Sequence, residues 1–149
     1  LCECGNTKII RYSHLSNHQI SSCGCLRKYT GKKHPRWTGY KDMSGSFIAN
    51  VKNGAKTRRL KFSISNKQMW ELFEKQNKEC ALTGLPIDFL DATASLDRID
   101  SSKGYTLDNI QWVHKDVNRM KNSFNQTYFL QICRMIAART DLEVETTDL

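Results

Sequence analysis

A chain of 149 residues with 39% apolar content can build one modest core plus an appendage. It contains no apolar run of the roughly 18 residues that a membrane span needs, and no secretory pattern opens it. The net charge of +8 is uneven: residues 1–61 carry 13 Lys/Arg against 2 Asp/Glu (+11), and residues 62–149 carry 10 against 13 (−3). A front half this basic points to a polyanion bound in a salt-dependent way, the alternative being a merely soluble basic surface. Composition does not separate DNA from RNA.

Six cysteines are present, and four of them fall in the pairs Cys2-Glu-Cys4 and Cys23-Gly-Cys25. In a basic chain without secretory features such pairs read as a metal clip, with disulfides and free thiols as alternatives. The intervening apolar residues (Ile9, Ile10, Tyr12, Leu15, Ile20) could hardly hold a fold alone, whereas four thiolates close a tetrahedral site. Residues 1–27 resemble a small zinc ribbon, with Cys2, Cys4, Cys23 and Cys25 holding structural Zn2+. His14 and His18 lie between the pairs as substitute ligands or exposed side chains.

Residues 28–43 read as a basic linker, broken by Gly31, Pro35 and Gly39. Lys28, Lys32, Lys33 and Arg36 alternate with Tyr29, Trp37 and Tyr40, which suits a phosphate backbone or a solvated connector with packed aromatics. Residues 44–79 read as a basic helical region. Ser44 or Ser46 caps a helix to about Arg59, with Phe47, Ile48, Val51 and Ala55 inward and Lys52, Lys56, Arg58 and Arg59 elsewhere. Those cations are expected to contact phosphates. Ser65 caps a second helix, Gln68 completes a capping box, and Met69, Leu72, Phe73 and Gln76 share a face beside Trp70.

Residues 80–124 carry the chemistry. Leu96 and Ile99 flank Asp97 and Arg98 in one strand, Gly104 permits a loop, and Ile110, Trp112 and Val113 suit a second strand. A helix from about Lys115 places His114 and Asn118 one turn apart. This order can bring Asp97 and Asn118 together, a hard oxygen pair suited to Mg2+ or Mn2+ that keeps several waters.

The segment from Ala94 to Lys121 resembles the ββα-metal core of HNH endonucleases, in a phage and mobile-element branch. The similarity extends upstream through Ser44-Gly-Ser-Phe and Cys80-Ala-Leu-Thr-Gly-Leu-Pro-Ile. It implies an α+β fold with flanking helices and a zinc-ribbon-like module in front. It also implies Asp97 and Asn118 as metal ligands, Asn109 as the loop-closing asparagine, and Arg119 and Lys121 on neighbouring phosphates. The family's general-base histidine would stand at position 98, which here is Arg98. A guanidinium is no base but can clamp the scissile phosphate. Tyr105, His114 or bulk water is then left to take the proton. The family's two thiol knuckles, which would stand at 80/83 and 114/117, are reduced to Cys80 and His114, too few for another zinc. An apolar core of Leu82, Ile87, Phe89 and Val117 is therefore expected there, with Cys80 as a small buried residue.

Residues 125–149 are expected to form a helix starting at Ser123 or Asn125. Its stripe of Tyr128, Phe129, Ile132, Cys133 and Ile136 covers the back of the core, ahead of a frayed acidic tail from Asp141. The implied protein is a cytoplasmic, nucleoid- or phage-DNA-associated endonuclease of homing or restriction type. It acts on double-stranded DNA through one divalent ion, leaving 5′-phosphate and 3′-hydroxyl ends, with a homodimer as one route to double-strand cleavage. A degenerate core retained as a nucleic-acid-binding module is the alternative.

Overall fold

The computed structural model describes residues 1–9, 23–25, 31–33 and 37–145. Lys28 and Arg36 of the linker, and His14 and His18, lie outside the described residues. The chain divides into two compact units, Leu1–Gly39 and Tyr40–Leu149. The first holds the two cysteine pairs and a 3-10 turn, Gly31–Lys33, where Lys32 and Lys33 are exposed. Gly5 and Gly24 adopt φ of +82° and +108°, which lets the chain double back beside each cysteine pair.

The second unit is mixed α+β, with four α-helices and a two-stranded antiparallel sheet among the described residues. Helix α1 is Gly45–Thr57 and α2 is Asn66–Lys75; strands β1 and β2 are Ala94–Arg98 and Ile110–His114; α3 is Lys115–Lys121 and α4 is Gln126–Glu145. Ser44 caps α1 by accepting from the Phe47 N–H at 3.0 Å. Ser65 and Gln68 form the reciprocal box at α2, at 3.2 Å and 2.9 Å. These contacts span three residues, so the chain makes them without tertiary help.

The strands pair from Ala94 opposite His114 to Arg98 opposite Ile110, which sets Asp97 across from Gln111. The free edge of β2 is covered by a side chain. Gln76 donates to the Trp112 carbonyl and accepts from the Trp112 N–H, both at 2.9 Å, while the Ala81 N–H also reaches that carbonyl at 2.9 Å. This explains why β2 is buried along its length.

The core crosses the boundary drawn at residue 80. Met43, Ile48, Met69, Trp70 and Phe73 pack with Ile87, Leu96, Trp112 and Val113 as one cluster. Phe89 is its aromatic hub, 4.8 Å from Phe73 and 5.2 Å from Trp112 between ring centroids.

Helix α4 departs from expectation in two ways. It continues through Glu145, so residues 141–145 are helical instead of frayed. Its stripe does not join the main core cluster: Phe129 is buried apart from it, and Tyr128 and Ile136 are 51% and 62% exposed. No described helix is long and apolar enough to cross a membrane.

Candidate functional site

The cleft in the second unit is assembled from three neighbouring elements. Asp97 lies on β1, and Ser95, two residues earlier, shares its face. Helix α3 follows β2 without a loop and returns Asn118 to that face, where its Nδ2 donates to the Ser95 hydroxyl at 2.7 Å. That bond fixes the amide and leaves its oxygen without a protein partner among the described residues. Asp97 and Asn118 thereby line one cleft of about 580 Å³, together with Arg58, Ser95, Leu96, Arg98, Tyr105, Lys115, Arg119, Asn122 and Ser123.

The charge of this cleft is one-sided. Arg58, Arg98, Lys115 and Arg119 face it, against the single carboxylate of Asp97. That carboxylate is already engaged: Gln111 Nε2 donates to Oδ2 at 2.9 Å, and Lys121 Nζ sits 3.2 Å from Oδ1 and 3.1 Å from Oδ2. Lys121, expected on a phosphate, is instead fully buried, with a further bond to the Arg98 carbonyl at 2.8 Å. The last turn of α3 points it back toward the strand end, away from any external anion.

Arg98 is braced by the loop that follows it. Its Nη1 donates to the Ser101 carbonyl and, at 2.8 Å, to the Lys103 carbonyl. One arm of the expected two-pronged clamp is therefore spent internally, leaving Nε and Nη2 for a ligand. The guanidinium carbon lies 5.5 Å from the ring centroid of Tyr105, within cation–π range.

Tyr105 is buried, and its hydroxyl oxygen accepts from Arg58 Nη2 at 2.9 Å. Its backbone pairs with the extended segment around Phe62, donating to the Lys61 carbonyl at 2.7 Å and accepting from the Ser63 N–H at 3.0 Å. Gly104 makes this possible, because a Cβ there would collide with the Lys61 carbonyl oxygen.

Asn109 closes the loop with its whole amide. It accepts from the Asp100 N–H at 2.9 Å and donates to the carbonyls of Asp100 and Gly104 at 3.1 Å and 2.9 Å. Asp100 adds a second tie that sequence reasoning missed, although Asp-Ser-Ser is an Asx-turn signal. The Ser102 hydroxyl, the Ser102 N–H and Lys103 hold its carboxyl down to about 2.

His114 does not line the cleft. It caps α3, its Nδ1 accepting from the Asp116 N–H at 3.3 Å. Arg59, Lys52 and Lys56 are exposed near α1 but outside the cleft lining, and Lys52 lies 5.9 Å over the Phe62 ring. Cys80 is buried; burial pushes its thiol up, but hydrogen bonds from the Thr83 side chain and the His114, Leu82 and Thr83 backbones outweigh this and hold it down.

In the first unit, the sulfurs of Cys2, Cys4, Cys23 and Cys25 all lie within 4.8 Å of one another, a group that could bind a metal such as zinc. The Cys2–Cys25 and Cys4–Cys23 separations are 3.8 Å and 3.5 Å. A disulfide would need about 2.05 Å. Sulfurs about 2.3 Å from a tetrahedral zinc would stand roughly 3.8 Å apart, so the donors fit that ion. The Cys4 and Cys23 backbone amides, with help from neighbouring thiols, pull Cys2 down to about 6. The Cys4 thiol, burial and the Cys23 and Cys2 thiols push Cys25 up to about 12. Sulfurs crowded this closely repel one another as thiolates, a repulsion that a bound cation relieves.

No family model, curated protein or solved structure matches this chain.

Proposed function

We propose that the protein is an HNH-type, metal-dependent DNA endonuclease acting inside the cell, with zinc held by the four N-terminal cysteines as a structural ion. The observation carrying this reading is that Asp97 and Asn118 line one cleft whose remaining charged side chains are all cationic. A carboxylate oxygen and an unpartnered amide oxygen form a sparse hard donor set, which fits Mg2+ or Mn2+ keeping most of its waters. When bound there, such an ion supplies Lewis-acid stabilisation of phosphate charge.

The chain's own side chains do the rest. Arg58, Lys115 and Arg119 bind the backbone phosphates, and the free donors of Arg98 orient the scissile one. Water attacks phosphorus, the bond to the 3′-oxygen breaks, and 5′-phosphate and 3′-hydroxyl ends result. Tyr105, in its phenolate form, takes the attacking water's proton, and solvent protonates the departing 3′-oxygen. The support is that Tyr105 lines the cleft whereas His114 caps α3 outside it. Asn109 keeps the loop closed so that Arg98 and Tyr105 hold station. One site cuts one strand, so double-strand cleavage requires a second copy or a second event.

A second reading, a non-catalytic nucleic-acid-binding module, is favoured by one feature: Lys121 and Gln111 already satisfy much of Asp97. Incubation with supercoiled plasmid separates the two. The endonuclease nicks it in Mg2+ or Mn2+, and Asp97→Ala slows nicking about 100-fold or more. Intact plasmid with DNA still bound selects the binding module. A Tyr105→Phe protein with an unchanged pH–rate profile removes the phenol from the mechanism.

A further inference from the structure

We propose that Lys121 is a built-in counter-ion: it neutralises Asp97 in the metal-free protein, so that folding does not depend on a divalent ion and the ion binds weakly. The proposal rests on reading Asp97 and Asn118 as that ion's ligands.

The Lys121 side chain is 0% exposed, and the Asp97 side chain is 5% exposed. An ammonium has three protons, and here its partners are the two carboxylate oxygens and the Arg98 carbonyl. Nothing remains for a ligand outside. Gln111 adds a neutral amide to Oδ2 but brings no charge. Without Lys121, Asp97 would be a buried anion with no ion-paired cation among the described residues, which proteins rarely tolerate. A metal site built only from Asp97 and Asn118 would leave the empty protein in that state. With Lys121 present, the charge is compensated from within.

The arrangement also positions the site. Lys121 ties the last turn of α3 to the end of β1, and Asn118 lies one turn earlier on the same helix. The strand end and the helix that carry the two expected ligands are therefore tied together by a residue whose own donors are all used within the protein. The accompanying cost is electrostatic. An incoming dication must share Asp97 with a fixed positive charge, which lowers its affinity while leaving the site pre-shaped.

The test uses the full chain with zinc supplied throughout, and follows thermal unfolding and Mn2+ binding for wild type, Lys121→Met and Asp97→Asn/Lys121→Met. Wild type is expected to melt at nearly the same temperature in chelator of divalent hard ions as in Mn2+. Lys121→Met is expected to melt lower in chelator, to regain most of that loss in Mn2+, and to bind Mn2+ roughly tenfold or more tightly than wild type. The double variant is expected to melt above Lys121→Met in chelator and to ignore Mn2+. If Lys121→Met does not fold in chelator, folding of the double variant under the same conditions supports the proposal, and failure of both overturns it. It is also overturned if Lys121→Met binds Mn2+ no more tightly than wild type while wild type still nicks plasmid, a result that leaves the endonuclease reading standing. If wild type neither binds Mn2+ nor nicks, that reading falls and the proposal with it.

Discussion

The carboxylate of Asp100 never touches the cleft, yet it helps decide where Arg98 points. It accepts from the Ser102 hydroxyl and N–H at 2.6 Å and 2.9 Å and pairs with Lys103 at 3.2 Å, fixing the loop whose carbonyls hold Arg98 Nη1. Its folded-state value of about 2 lies below an ordinary carboxylate, so its contribution is fully present above about pH 4. It is lost as pH falls through about 2. An Asp100→Asn variant should therefore show a flatter dependence of melting temperature on pH between about 4 and 2 than wild type, as read by thermal melts across that window. Equal slopes would show that the loop does not draw on this carboxylate. The same scale marks what the sequence concealed. Asn109 was assigned as a loop closer through the HNH resemblance, and its partners do lie within nine residues. The pairing of Lys121 was not legible: its partners are 23 and 24 residues away, and a lysine at a helix end ordinarily faces water.

Among the elements, the helix starts were legible because caps are local. Ser44, Ser65 and Gln68 act within three residues of themselves. Coverage of the β2 edge was not legible. Gln76 reads as one more position on the face of α2, yet it pairs with Trp112, 36 residues away. Replacing it with alanine strips the Trp112 N–H of its partner and should cost about 1–3 kcal/mol, measurable by urea unfolding. No loss would mean that water reaches that edge. The extent of α4 was also misjudged, because the acids of residues 141–145 suggested fraying where the helix persists.

For the whole molecule, the two units make different demands. Removing zinc with a thiophilic chelator should abolish structure around the four cysteines while leaving the cooperative melt of the Tyr40–Leu149 unit in place, a distinction that hydrogen exchange by mass spectrometry resolves. Exchange that rises equally in both units would show that the fold is not divided as described. DNA binding should be steeply salt-dependent, with log K falling by about 0.9 per phosphate contacted. An Arg58→Ala/Arg119→Ala variant should lower that slope by about two in a fluorescence titration, and an unchanged slope would place DNA elsewhere on the surface. The basic front half was readable as a polyanion-binding signal from charge alone. The cationic lining of the cleft was not, because Arg58, Arg98 and the Lys115–Arg119 pair of α3 come from three separate elements and only the fold collects them.

Every functional step above depends on Asp97 and Asn118 gripping one hard cation. Anomalous diffraction from crystals soaked in Mn2+ measures that directly. The expected result is a peak about 2.1 Å from one Asp97 oxygen and from the Asn118 amide oxygen. Mn2+ bound away from this pair, or absent from the cleft at saturating concentration, would contradict the account.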